Sequence, residues 1–97
     1  MKQSYVYILT NKVNTVFYIG VTSNLTKRIY EHKSKGGSIF TSKYGIYKLV
    51  YFEIFEDITE AIKREKQLKA GSRQKKLSLI NKSNPNFKDL YEEIASA

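Results

Sequence analysis

Five side chains of types suited to phosphoryl transfer lie along the chain: Tyr7, Tyr18, Arg28, His32 and Glu65. Cleaving a phosphodiester calls for a carboxylate to hold a metal, a cation to meet charge developing on the phosphate, and a proton acceptor for water. Glu65, Arg28 and the phenols or imidazole supply a candidate for each. Taken singly, each has a plain structural explanation. A long Arg beside an apolar stripe reaches out to water, a lone inward His is usually a satisfied core residue, tyrosines fill strands, and a Glu among lysines forms ion pairs.

Spacing makes the set harder to dismiss. Leu25, Arg28, Ile29 and His32 follow the i, i+3, i+4, i+7 pattern of one helical face. Arg28 and His32 therefore lie one turn apart among apolar contacts, where a cation without a partner costs desolvation. In a later helix Ile58, Ala61, Ile62 and Leu68 mark the apolar stripe and Glu65 falls within it, although Lys63, Arg64, Lys66 and Lys69 around it are all basic. An ionised carboxylate so placed must hold a metal or pair with a cation, Arg28 or a neighbouring Lys being the simplest partner. Pairing Tyr7 with Tyr18 across a hairpin predicts a register in which Thr10 faces Thr15 and both phenols share a face. A phenol titrates near pH 10 and acts as a base only where cations lower that value, as Arg28 and a metal could.

The elements that must position these groups are legible. Residues 5–9 and 16–21 are aromatic and β-branched, with a polar loop between them, and read as a β-hairpin. Both runs are apolar at nearly every position, which predicts a sheet covered on both faces. Ser23-Asn24 caps a helix to about Lys35, stopped by Gly36-Gly37. Ser38 to Gly45 reads as a polar loop, and residues 46–55 as the strongest strand, reached by a helical crossover. Asp57 with Glu60 resembles a capping box opening a helix to about Ala70, ended by Gly71. Ser72 starts another helix through Asn81, Asn84-Pro85 breaks it, and Phe87, Leu90, Tyr91 and Ile94 have the spacing of a last docking helix. The expected architecture is α+β in mixed α/β layers: a small, central, three-stranded, mainly antiparallel sheet flanked by helices.

A chain of 97 residues suits a single domain over 1–97, with its core at about 4–82 and a C-terminal docking segment at 83–97. Seventeen Lys and Arg against nine Asp and Glu give a net charge of +8, which favours a polyanionic partner, nucleic acid before an acidic membrane. No stretch approaches the roughly 20 apolar residues of a spanning helix, and no signal peptide opens the chain, so a cytoplasmic protein with no membrane partner is expected. Without cysteine and with one His, thiolate catalysis, Cys-ligated zinc and His-rich metal sites are excluded. A bound metal would be a hard, oxygen-ligated ion, Mg²⁺ or Mn²⁺.

With these residues in view, the chain resembles the GIY-YIG nuclease domain over about Tyr5 to Leu90, most closely its small stand-alone bacterial members. The second half of the signature reads Tyr18-Ile19-Gly20, and the first reads Tyr5-Val6-Tyr7, which departs from the name but keeps its third tyrosine. Arg28 in Thr26-Lys27-Arg28-Ile29, His32 one turn later and Glu65 in Arg64-Glu65-Lys66 match the family's Arg, His and Glu in order. The resemblance implies a divalent-metal endonuclease acting on DNA or RNA, selective for structure and not for sequence. Catalytic roles would fall to Tyr7, Tyr18, Arg28, His32 and Glu65, with Glu65 as the metal ligand and either tyrosine as the group that handles the water. Gly20, Lys27, Lys63, Lys69, Arg73, Lys75 and Lys76 are the expected nucleic-acid contacts, and Asn81 or Asn84 a looser carry-over. A binding module that keeps the scaffold with little or no turnover is the alternative, and a protein-interaction domain with an acidic partner is a third reading.

Overall fold

The computed structural model describes residues 3–34 and 39–96, the side chains of Ile39 and Phe40 excepted. Its element order is β1 (Ser4–Thr10), β2 (Phe17–Thr22), α1 (Leu25–Ser34), α2 (Ile39–Tyr44), β3 (Lys48–Phe55), α3 (Ile58–Ala70), α4 (Arg73–Ser83) and α5 (Tyr91–Ala95). The strands form one sheet in the order β2-β1-β3, and β1 is antiparallel to both neighbours. The expected α+β architecture is present.

Alternation along β1 supplies two cores. Val6 and Ile8 pack with Ile19, Val50, Ala61, Leu68 and Ile80 beneath α3 and α4. Tyr7 and Leu9 point the other way and pack with Leu25, Ile29, Ile46 and Leu49. This two-sided burial is why the strands read as unbroken apolar runs. The long apolar stretch at the third strand begins later than expected, because Ile46 is not in the ladder. Its N–H donates to the Thr41 carbonyl at 2.9 Å, closing α2 instead.

Several expectations are corrected. The hairpin register is Tyr7↔Gly20, Leu9↔Tyr18 and Thr10↔Phe17, two residues away from the Tyr7–Tyr18 pairing. The loop is longer than a tight turn because Asn11 organises it: its Oδ1 accepts from the N–H groups of Thr15 (2.8 Å) and Val16 (3.2 Å), with Asn14 at φ 59°. A two-residue shift preserves the strand period, so Tyr7 and Tyr18 still share a face. The segment Ser38 to Gly45, expected as loop, holds the short helix α2. The glycine stop at 36–37 lies outside the described residues. In α3 the side facing the sheet is carried by Ala61 and Leu68, while Ile58 and Ile62 of the expected stripe are 46% and 37% exposed. Asp57 caps α3 by accepting from the Thr59 N–H at 2.9 Å, whereas the Glu60 side chain turns to Lys63 and does not complete a capping box.

Helix α4 runs two residues beyond its expected end, and the C-terminal segment is helical only from Tyr91. Phe87 stands at φ 51°, and the chain there crosses the β3 edge: Phe87 packs with the α3-side core, but Leu90, Tyr91 and Ile94 pack with the α1-side core. Asp89 accepts from the Leu49 N–H at 3.2 Å and Leu90 donates to the Leu49 carbonyl at 2.8 Å, which satisfies an edge that would otherwise be open. Lys33 of α1 grips the same Asp89 at 2.5 Å. Among the described residues, no helix is long and apolar enough to cross a membrane.

Candidate active site

Strand β1 delivers Tyr7, β2 delivers Tyr18, and α1 lays His32 against both. Ring centroids lie 6.4 Å apart for Tyr7–Tyr18, 6.0 Å for Tyr7–His32 and 5.6 Å for Tyr18–His32. The Tyr7 hydroxyl is 3.3 Å from His32 Nε2, and the Nδ1 of the same ring is 3.1 Å from the Thr41 hydroxyl. Tyr7, His32 and Thr41 are 0%, 2% and 1% exposed, so the three form a line of polar atoms enclosed in an apolar wall.

Electrostatics follow from that enclosure. Burial, helped by Tyr18, pushes the Tyr7 phenol far above its ordinary value, and the Arg28 guanidinium offsets only part of this. The expectation that cations lower a tyrosine pKa here is therefore overturned for Tyr7, because desolvation outweighs them. Burial and then Arg28 hold the His32 imidazole below its ordinary value, against a weaker opposing pull from Glu31, so it is neutral at pH 7. Arg28 lies at the edge of the α1 stripe, about half exposed, with Glu31 at 3.4 Å. Glu65 belongs to the layer beyond the sheet, yet its charge also acts on Tyr7. All five chemistry-bearing residues thus converge on one neighbourhood.

The Glu65 carboxylate is only 16% exposed and is paired with Lys69 at 3.2 Å, one helical turn on; the neighbouring-Lys partner is realised and the Arg28 partner is not. No group of three or more His, Cys, Asp and Glu side chains able to cage a metal occurs among the described residues. An open cleft of ≈ 350 Å³ beside the site is lined by Phe17, Tyr18, Ile19, Lys69 and Lys76. Tyr18 is the phenol that reaches it.

The basic residues named for nucleic-acid contact divide. Lys27 is exposed next to Arg28, and Lys75 is exposed on the wall of a groove between α3 and α4. Lys69 and Lys76 border the cleft, although Lys76 also donates to the Gly71 carbonyl at 2.8 Å. Arg73 donates to the Thr15 carbonyl at 2.9 Å and covers the Phe17 ring at 5.1 Å, tying α4 to the hairpin loop. Lys63 pairs with Glu60 at 3.4 Å, and Arg64 is held by Glu53 at 2.9 Å. Asn84 is structural: its amide donates to the carbonyls of Val50 and Lys88 behind β3. Gly20 opposes Tyr7 in the ladder, and its missing side chain leaves room for that ring.

Three participants had no sequence signal. Thr41 lies nine residues after His32 on a helix read as loop, Glu31 reads as one more surface acid, and Lys82, which joins Lys75 on the groove wall, stands apart from the main basic run.

Comparison with known proteins bears on the family and the fold. Residues 3–78 match the family described as GIY-YIG catalytic domain. A UPF0213 protein of Clostridium perfringens is 42% identical over 91 residues, which cover 94% of this chain and 97% of that protein. One from Syntrophus aciditrophicus is 43% identical over 86 residues, covering 88% and 97%. The solution NMR structure of a UPF0213 protein from Bacillus halodurans shares 31% identity with a TM-score of 0.58, covering 93% of this chain and 95% of that one. The chain belongs to the GIY-YIG catalytic-domain family, a family of nucleases, and is similar over nearly its whole length to small stand-alone bacterial members.

Proposed function

We propose that this protein is a divalent-metal-dependent endonuclease that hydrolyses phosphodiester bonds in DNA and selects its target by structure, not sequence. The observation carrying this reading is that Arg28 and Glu65, from opposite sides of the sheet, both act on the Tyr7 hydroxyl that meets His32. A lone half-buried carboxylate fits a hard cation that keeps most of its waters and takes further oxygens from the substrate phosphate, as Mg²⁺ characteristically does. Glu65 would hold that ion, Mg²⁺ or Mn²⁺. When bound, it supplies positive charge that polarises the phosphate and eases departure of the 3′ oxygen.

The remaining steps belong to the chain. Arg28 places a fixed planar cation at the phosphate, where charge builds in the transition state. Tyr18, at the cleft, orients the attacking water and takes its proton on Oη. Tyr7 cannot ionise on its own near neutrality, since burial disfavours its phenolate. Enclosed behind Tyr18, it takes that phenol's proton on Oη while passing its own to neutral His32 Nε2. Lys27, Lys69, Lys75 and Lys76 attract the phosphate backbone without reading bases.

One observation favours a second reading, a nucleic-acid-binding module with little or no turnover: the Glu65 carboxylate is already engaged by Lys69. Incubating the pure protein with branched, nicked and single-stranded DNA and RNA, with Mg²⁺ or Mn²⁺ and with chelator, separates the two. Metal-dependent cutting of DNA supports the first; tight, salt-sensitive binding without cutting supports the second.

A further inference from the structure

We infer that Thr41 is a positioning residue for this chemistry: its hydroxyl is the acceptor that allows His32 to carry a proton on both ring nitrogens. The inference rests on the relay proposed above. In that relay the water's oxygen forms a bond to phosphorus as its proton moves to Tyr18 Oη, the Oη–H bond of Tyr18 breaks as its proton passes to Tyr7 Oη, the Oη–H bond of Tyr7 breaks as Nε2–H forms on His32, and the P–O3′ bond breaks with its electron pair leaving on the 3′ oxygen. Nε2 can take this proton only in the tautomer that carries its hydrogen on Nδ1, and the product of the relay is an imidazolium with N–H groups at both Nε2 and Nδ1. Nε2–H then points at Tyr7, 3.3 Å away. Nδ1–H needs its own acceptor inside a wall that leaves His32 2% exposed to bulk water. Thr41 Oγ1, itself 1% exposed, stands 3.1 Å from it.

A bond from a charged donor is about twice as strong as one between neutral groups, so Thr41 favours the protonated ring over the neutral one. A buried charged N–H left without an acceptor would oppose the transfer. Among the described residues, the other charged or titratable groups facing the ring are Tyr7 from β1, Tyr18 from β2, and Arg28 and Glu31 from α1 itself. None of these changes when Thr41 is altered. Helix α2 carries Thr41 to this point, and its closure by the Ile46 N–H onto the Thr41 carbonyl fixes the residue's backbone.

His32 is the only histidine in the chain, so its ring titration can be read directly by NMR on the intact protein. Thr41→Val keeps the shape and removes the acceptor; Thr41→Ser keeps the acceptor. In Thr41→Val the titration midpoint should fall by about one pH unit, and the single-turnover cleavage rate about tenfold or more. Thr41→Ser should stay close to the parent in both. A folded Thr41→Val protein titrating with the parent, or a Ser variant shifted as far as Val, overturns the inference. If Thr41→Val does not fold, the parent alone decides: a slowly exchanging downfield Nδ1–H resonance below the titration midpoint supports the bond, and rapid exchange with water overturns it. The titration result stands whether or not the protein cuts DNA, so failure of the nuclease reading and failure of the Thr41 role are distinguishable.

Discussion

The ring of Tyr7 lies across the backbone of Gly20, its partner in the β1–β2 ladder: a Cβ at position 20 would stand 2.5 Å from Tyr7 Cζ and 3.0 Å from Cε2. Glycine is required here for space, not for backbone freedom. Because Tyr7 is fully enclosed, its ring cannot swing aside without disturbing the core or its approach to His32. Gly20→Ala should therefore cost about 1–3 kcal/mol of stability, the usual range for overpacking. Cleavage should fall further than stability explains, since the hydroxyl leaves its place. Urea unfolding with single-turnover kinetics checks this, and a variant as stable and active as the parent would remove the spatial role.

Glu65 and Lys69 make a paired prediction. Glu65→Gln removes the carboxylate charge proposed to hold the metal while nearly preserving shape, so cleavage should be lost with folding and DNA binding nearly intact. Lys69→Ala removes the competing cation, so the Mg²⁺ concentration giving half-maximal cleavage should fall. If Glu65→Gln cuts at the parental rate, the carboxylate is no metal ligand and is merely the partner of Lys69.

The site's composition was readable from sequence, because helical spacing put Arg28 and His32 on one face and period-2 alternation put both phenols on another. Those are local rules. The hairpin register escaped by two residues because Asn11 side-chain bonds, not a turn dipeptide, set the loop length. The stripe of α3 was read one position off centre, since spacing identifies apolar neighbours but not which side packs: Ala61 wins through close approach to the sheet, leaving Ile58 and Ile62 exposed. Thr41 and the crossing of Phe87 to Leu90 over β3 depend on contacts between segments far apart in sequence, which no periodicity encodes.

Arg28 separates transition-state from ground-state action. Its guanidinium is about half exposed, paired with Glu31 at 3.4 Å and within hydrogen-bond reach of Tyr7, so it presents a cation at the site where a phosphate would lie. An ammonium cannot reproduce the planar two-point contact. Arg28→Lys should lower the single-turnover rate by roughly 10² or more, the scale seen when a preorganised charge stabiliser is lost, with little change in Kd. A loss confined to Kd would make Arg28 an ordinary phosphate anchor.

The pH dependence follows from two opposite shifts. Burial lowers the His32 pKa below its ordinary value, so the proton-accepting form persists below about pH 6.5 and the acid limb of the cleavage rate should lie beneath that point. The same shift affects stability. In the folded state His32 binds its proton less readily than in the unfolded chain, so its contribution is fully present above about pH 6.5 and is lost as pH falls through the lowered value. Tyr7 acts at the other end. Its raised pKa keeps it protonated when folded, so its contribution is present below about pH 10 and is lost as pH rises beyond that. Urea midpoints across this range should fall on both sides. His32→Gln should flatten the acid side and leave the alkaline side in place, and Tyr7→Phe should do the reverse. An acid slope that survives His32→Gln would mean that carboxylates, not the imidazole, govern the fall below pH 6.5.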